Sequence, residues 1–163
     1  MALHAEHLPA GVAAQLLEQE VLVFAVGDEH SDTAQFSERY GFASDDCANT
    51  IVLRYRKDGA DHYAAVVTLG SNRLDVNGAV KQCLGAQRLS FAKREVATEL
   101  TAMEFGGITA FGLPDGMRVL VDAAVMQRAF VVMGAGVRKT KLLLAPALLK
   151  SLPQVDIAAL TLE

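Results

Sequence analysis

The sequence predicts a mixed α+β fold, a mixed sheet or small barrel with helices, in one domain of 163 residues. Three observations predict it. The composition, 52% hydrophobic and 21% charged, is that of a packed chain and far from the profile of disordered polymers. The apolar period changes along the chain, helical before Val21 and strand-like from Ala48. Strand-like and helix-like stretches then alternate without the regular rhythm of a doubly wound parallel sheet. The length suffices for one buried core and is short for two, and no linker, repeat or low-complexity tract divides residues 1–163.

Taken in order, Pro9 suits the first turn of a helix over residues 9–20, with Val12, Leu16 and Leu17 on one face. Val21–Val26 is β-branched and aromatic, a strand ending at the Gly27-Asp28 turn. Ser31 or Asp32 caps a second helix that carries Ala34, Phe36 and Tyr40 and stops at Gly41. Residues 49–56 read as a strand, Lys57-Asp58-Gly59 as a hairpin turn and residues 62–69 as the returning strand, which leaves His62 an exposed strand-end residue. Asp75 to Gly78 opens a helix with Val80, Cys83 and Leu84 inward, closed by Gly85. After Phe91-Ala92 a further helix buries Val96, Leu100 and Met103. Strands are expected at 118–122, 130–133 and 142–144, a short element at Val125-Met126, and a closing helix over 145–152 ended by Pro153.

Charge and cysteine content exclude several classes. The longest aliphatic and aromatic run, Val21–Val26, falls far below the roughly 20 residues of a membrane helix. MALHAEHL has neither the basic nor the apolar region of a signal peptide, so a cytoplasmic protein without membrane attachment is expected. Cys47 and Cys83 have no CxxC partner and no histidine at ligand spacing, so no metal or disulfide is expected and both read as small core residues. Net charge is −4, yet residues 51–163 hold fourteen basic against ten acidic residues. Arg138, Lys139 and Lys141 are therefore either a phosphate-binding face or solvated surface charge.

No side-chain constellation announces a reaction. Gly134-Ala135-Gly136 follows a strand, but position 139 is lysine where a dinucleotide fingerprint needs its third glycine, and GAGVRKTK lacks P-loop spacing. There is no GxSxG elbow and no HExxH, and the four histidines all lie within the first 62 residues. No cofactor is called for. Residues 104–114, EFGGITAFGLP, crowd three glycines, Thr109 and a proline stop into one apolar run, which makes either a tight corner or a wall of a binding site. What remains is a site built mainly of backbone, from Asn49-Thr50, the Gly106–Gly112 loop and the Gly134–Gly136 turn, whose N–H groups can stabilise a developing oxyanion.

Several segments carry a family likeness: ANTIV near position 50, DVNG at 75–78, FA at 91–92, TAMEFGGITAFGLP at 101–114, VLVD at 119–122 and GAGVRKTKL at 134–142. In order and spacing, over residues 10–155, they resemble the YbaK family of aminoacyl-tRNA deacylases. These are related to the editing domain inserted in bacterial prolyl-tRNA synthetases. The resemblance implies a mixed α+β fold with a barrel-like central sheet and surrounding helices. It also implies hydrolysis, in trans, of the ester of a mischarged aminoacyl-tRNA carrying a small amino acid, a function in translation fidelity. Such editing excludes the correct amino acid by size. A synthetase is an implied partner, and no metal or cofactor is.

By that resemblance Asn49, Thr50, Gly106, Gly107, Ile108, Thr109 and Ala110 bind substrate. Gly134, Ala135 and Gly136 present backbone donors to the ester, and Arg138, Lys139 and Lys141 meet tRNA phosphate. Asp122 is read as structural. Two departures stand out: Asn49 replaces the family's lysine, and Ala110 replaces the proline of its glycine loop. Asparagine hydrogen-bonds without a lysine's charge, and loss of proline frees φ. Lys141, with Arg138, is expected either to take over the lost contacts or to face solvent. The rival reading is a tRNA- or ligand-binding module that keeps the fold without the hydrolysis, and a general small-ester hydrolase is a further alternative.

Overall fold

The computed structural model of the chain describes residues 8–16, 21–25 and 43–162. The helix expected after Ser31 lies outside the described residues, as do Leu17, Val26 and three of the histidines, His4, His7 and His30. The strands are β1 (Val21–Ala25), β2 (Cys47–Lys57), β3 (Ala60–Leu69), β4 (Arg73–Leu74), β5 (Arg88–Phe91), β6 (Arg118–Asp122), β7 (Val131–Gly134), β8 (Thr140–Leu144), β9 (Val155–Ala158) and β10 (Thr161–Leu162). The α-helices are α1 (Ala10–Leu16), α2 (Lys81–Leu84) and α3 (Arg94–Thr101).

One large mixed sheet runs in the order β1-β8-β7-β2-β3-β6-β9, with β5 added to β2, while β4 and β10 form a separate pair. The α+β class expected from the sequence holds. The β2–β3 hairpin is antiparallel from Ala48↔Leu69 to Lys57↔Ala60, and β3–β6 and β6–β9 are parallel. Asp58 and Gly59 both have positive φ, 54° and 78°, the geometry whose twist matches a two-residue hairpin.

Apolar residues cover both faces of the sheet. On one face Val12 and Leu16 of α1 pack with Phe111, Val52, Ala65, Val67, Val119 and Val121. On the other, Leu53, Ala64, Val66 and Leu120 pack with Val80, Leu84 and Leu160. Period-2 alternation explains the split, since successive residues of β3 and β6 enter opposite cores. Such doubly buried strands read as unbroken apolar runs. Asp122 is buried at the end of β6 and accepts the Leu160 N–H (2.8 Å), so it ties down the chain that follows β9.

Several local expectations change. The inward side of α3 is formed by Ala97 and Thr101, with Val96 and Leu100 only half-buried, although Met103 is buried as expected. Small residues let this helix lie close to its neighbours, and Thr101 satisfies its hydroxyl by donating to Ala97 O (2.7 Å). The expected closing helix is 3-10 over Pro146–Ser151, with Leu148 N donating to Ala145 O. Asp75 caps a π-turn over Val76–Val80 before α2 begins, and Gly85 ends α2 in the left-handed region at φ 64°. Cys47 is buried, whereas Cys83 is half-buried against the second core. β8 begins at Thr140, ahead of the expected Leu142, and Phe130 precedes β7. Strands β4, β5, β9 and β10 were not anticipated.

Candidate functional site

The site grows from an interruption in the pairing of β2. One edge of β2 follows β3 throughout. The other edge pairs with β7 only at Cys47 and Ala48, and with β5 only from Leu53 to Arg56. Between them, residues 49–52 meet no described strand on that side. Just beyond β5, the Ala92 N–H reaches across to Val52 O (3.0 Å). A cleft of about 400 Å³ occupies this opening.

Three separated stretches of the chain meet there. Asn49 and Thr50 line the cleft from β2 together with Ile51 and Val52. Gly106 and Ile108 line it from the glycine loop, and Gly134 and Lys141 from β7 and β8, where they are register partners. Phe91 and Ala92 at the end of β5, Ala97 of α3 and Phe105 complete the wall. Of the two alternatives for Lys141, facing solvent does not hold, because β1 and β7 flank β8 and leave this residue 8% exposed. Lys141 is the one ionisable side chain among the described lining residues. Thr50 Oγ1 is buried and makes no hydrogen bond with the described residues.

Other expected residues sit behind this wall. Gly107 and Gly136 bind the two loops to each other, Gly136 N donating to Gly107 O (2.7 Å) and Glu104 N to Gly136 O (3.0 Å). The Gly136 N–H is thus committed within the protein. A Cβ on Gly107 would lie 2.6 Å from the Val137 carbonyl carbon, and one on Gly134 would lie 2.8 Å from Gly107 O. The glycine stretch is a corner that lets two backbones touch, and its Gly106 and Ile108 also form wall. Thr109 is fully buried, and its Oγ1 has no hydrogen-bond partner among the described residues. Ala110 is buried and borders a different cavity, with Leu113, Pro114 and Gln15. Ala135 is buried outside the cleft lining.

The expected phosphate face divides. Lys141 lines the cleft, while Arg138 and Lys139 do not. Arg138 N donates to Glu104 Oε1 (2.9 Å), and its guanidinium reaches Phe105 O (3.5 Å). The Arg94 guanidinium lies 5.0 Å from the centre of the Phe105 ring, which steadies an aromatic at the rim. The entry to β2 is held by Arg128, which donates from Nε and Nη2 to Asp46 Oδ1 (3.0 and 2.7 Å). That hydrogen bond raises the Arg128 pKa above its ordinary value.

Ile51, Val52, Phe91, Ala92, Ala97 and Phe105 were missed as site residues. Phe91-Ala92 was visible as a matched motif, but nothing local showed that it closes a gap beside β2. His62 is exposed and stacks on Tyr55 (ring centres 5.3 Å apart), away from the cleft. Among the described residues no group of three or more His, Cys, Asp or Glu is placed to hold a metal ion, and no helix is long and apolar enough to cross a membrane.

Residues 10–152 match the family described as aminoacyl-tRNA editing domain. The fold is similar to that of the hypothetical protein APE2540, at 21% identity and TM-score 0.80 over 93% of this chain and 96% of that one. It is also similar to a proposed trans-editing enzyme for prolyl tRNA synthetase, at 18% identity and TM-score 0.82 over 100% of this chain and 99% of that one. A proposed signal transduction protein from Marinobacter aquaeolei VT8 contains a similar unit, at 17% identity and TM-score 0.65 over 96% of this chain and 31% of that one. At these identities the structural likeness shows the fold.

Proposed function

The chain belongs to the aminoacyl-tRNA editing domain family, and from that premise we propose that it hydrolyses, in trans, the ester of a mischarged aminoacyl-tRNA carrying a small amino acid. Water adds to the carbonyl, the bond to the terminal ribose oxygen breaks, and free amino acid and tRNA result. The observation that supports this reading is the convergence of Asn49-Thr50, Gly106-Ile108 and Gly134-Lys141 on one opening in the sheet. Its volume of about 400 Å³ lies within the usual range of small-ligand sites, roughly 300–1,000 Å³. Ile51, Val52, Ala92, Ala97 and Ile108 make its lining largely aliphatic, which suits a small uncharged side chain and limits the size of what enters.

The described lining contains no carboxylate or imidazole to act as general base. Catalysis then rests on positioning the ester and stabilising charge as it develops. Asn49 and Thr50 hydrogen-bond the ribose or the amino acid. Lys141 supplies the positive charge that Asn49 lacks, toward the terminal phosphate or the developing oxyanion. The partner is a charged tRNA released by a synthetase, and the site of action is the cytoplasm.

The test is ester loss from tRNAs charged with alanine, serine, cysteine or proline, measured with purified protein at low salt against spontaneous hydrolysis. Rapid loss of one small amino acid is expected. Uniform stability of all four esters would instead favour a binding module of the same fold. Two features support that second reading: Asn49 stands where the family has lysine, and the Gly136 N–H is already committed to Gly107.

A further inference from the structure

We propose that Arg54, Arg56 and Arg88, with Ser90 beside them, form the track along which an RNA strand reaches the cleft. The proposal deepens the deacylase reading and rests on it for what the strand's end carries. On a strand, every second side chain shares a face at about 7 Å spacing. Thr50, Val52, Arg54 and Arg56 therefore form one row along β2. The first two line the cleft, and the last two line a separate open groove of about 310 Å³ with Arg88 and Ser90. This row runs from the cleft into the groove.

The charge on this groove is only partly compensated, with three arginines against one aspartate among its described residues. Arg56 is the register partner of Arg88, and Arg54 of Ser90. Like charges placed directly opposite on paired strands destabilise the pairing, a cost that an anion between them removes. Asp61 is the one carboxylate among the described groove residues, and it serves both Arg54 (2.8 Å) and Arg56 (3.5 Å). Arg88 has no ion-pair partner among the described residues. The Arg54 and Arg56 side chains are half exposed, 50% and 48%.

The residue after Ser90 belongs to the other face of β5, because Phe91 is the register partner of Leu53 while Ser90 is that of Arg54. Phe91 follows Ser90 at the end of β5, lines the cleft and is 59% exposed. A basic groove leading to a cleft is the arrangement that follows a single-stranded nucleic-acid backbone, with cations on successive phosphates. The net charge of −4 makes this a local feature of an otherwise acidic chain. The strand it fits is a single-stranded RNA 3′ end whose last nucleotide enters the cleft.

The test uses the full chain and a fluorescent RNA hairpin with an uncharged single-stranded CCA tail, titrated by anisotropy over a salt series. Arg56→Gln with Arg88→Gln is expected to weaken binding about tenfold at low salt and to flatten the log–log salt slope by about 1.4, near 0.7 for each single-strand phosphate contact. Arg56→Lys with Arg88→Lys restores most of the slope, which separates charge from strand geometry. Wild-type affinity and slope in the glutamine pair, or no hairpin binding by wild type, would overturn the track. The same preparations are assayed on the charged tRNA panel. Ester hydrolysis by wild type with binding untouched by the glutamine pair removes the track and leaves the deacylase reading standing. Arginine-dependent binding without hydrolysis of any ester leaves the track and removes the deacylase.

Discussion

β2 and β3 are the two arms of one hairpin, both rich in aliphatic residues, yet only one of them builds a site. β3 is paired on both edges from Ala64 to Val67, and those four residues are wholly buried. β2 keeps one partner through residues 49–52, and the edge left open there borders the cleft. An open strand edge invites unwanted pairing and is ordinarily covered or blunted. Here the glycine loop, Phe91 and the β7–β8 pair stand around it. The difference shows that the site comes from a lapse in pairing, with ordinary residues placed around the gap.

Breaking the fully paired region should produce the largest effect. Leu120 lies opposite Val66 and is wholly buried, so Leu120→Ala should cost about 2–5 kcal/mol. Urea denaturation reads that loss, and activity per folded molecule should stay near wild type. A smaller loss would mean that the core beside β3 collapses to fill the space.

The wall of the cleft should come next. Gly107→Ala drives a methyl into the Val137 carbonyl and should cost about 1–3 kcal/mol while displacing the Gly106–Ile108 wall. Gly116→Ala is the control. Its φ of 83° is strained for alanine, but an added Cβ would meet nothing within 4 Å beyond its chain neighbours, so it should cost about 1 kcal/mol and leave ester hydrolysis unchanged. Equal effects on hydrolysis would dissolve the distinction between wall and loop.

Within the opening, Lys141→Met keeps volume and removes charge, so kcat/KM per folded molecule should fall about 10- to 100-fold, the range of a lost charged hydrogen bond. A rise in KM alone assigns the lysine to phosphate, and a fall in kcat assigns it to the transition state. The smallest effect is expected of Asn49→Lys, which adds a cation at the exposed rim. It should steepen the salt slope of RNA binding by about 0.7, and no change would place the phosphate away from this position.

The local code was clear for much of the fold. The Asp58-Gly59 turn, the strands 21–25, 49–56 and 118–122 and the capping Asp75 follow from period, turn chemistry and side-chain hydrogen bonding, which act over a few residues. The motif residues at 49–50, 106–112 and 134–141 were also visible as unusual backbone and as a family likeness. β5 was not, because a four-residue strand such as Arg-Leu-Ser-Phe carries too little alternation to stand out. Its position beside β2 nevertheless decides one end of the cleft.

The sequence by itself determined the α+β class and the family, since composition, period and motif order are properties of the chain read locally. Only the tertiary structure decided that Lys141 is buried toward the cleft, that Thr109 and Ala110 lie behind its wall, and that Arg54, Arg56 and Arg88 share a groove. Each of those depends on which strand lies beside which. Strand neighbours are set by contacts between residues far apart in the chain, and a one-residue change of register would turn every side chain to the other face.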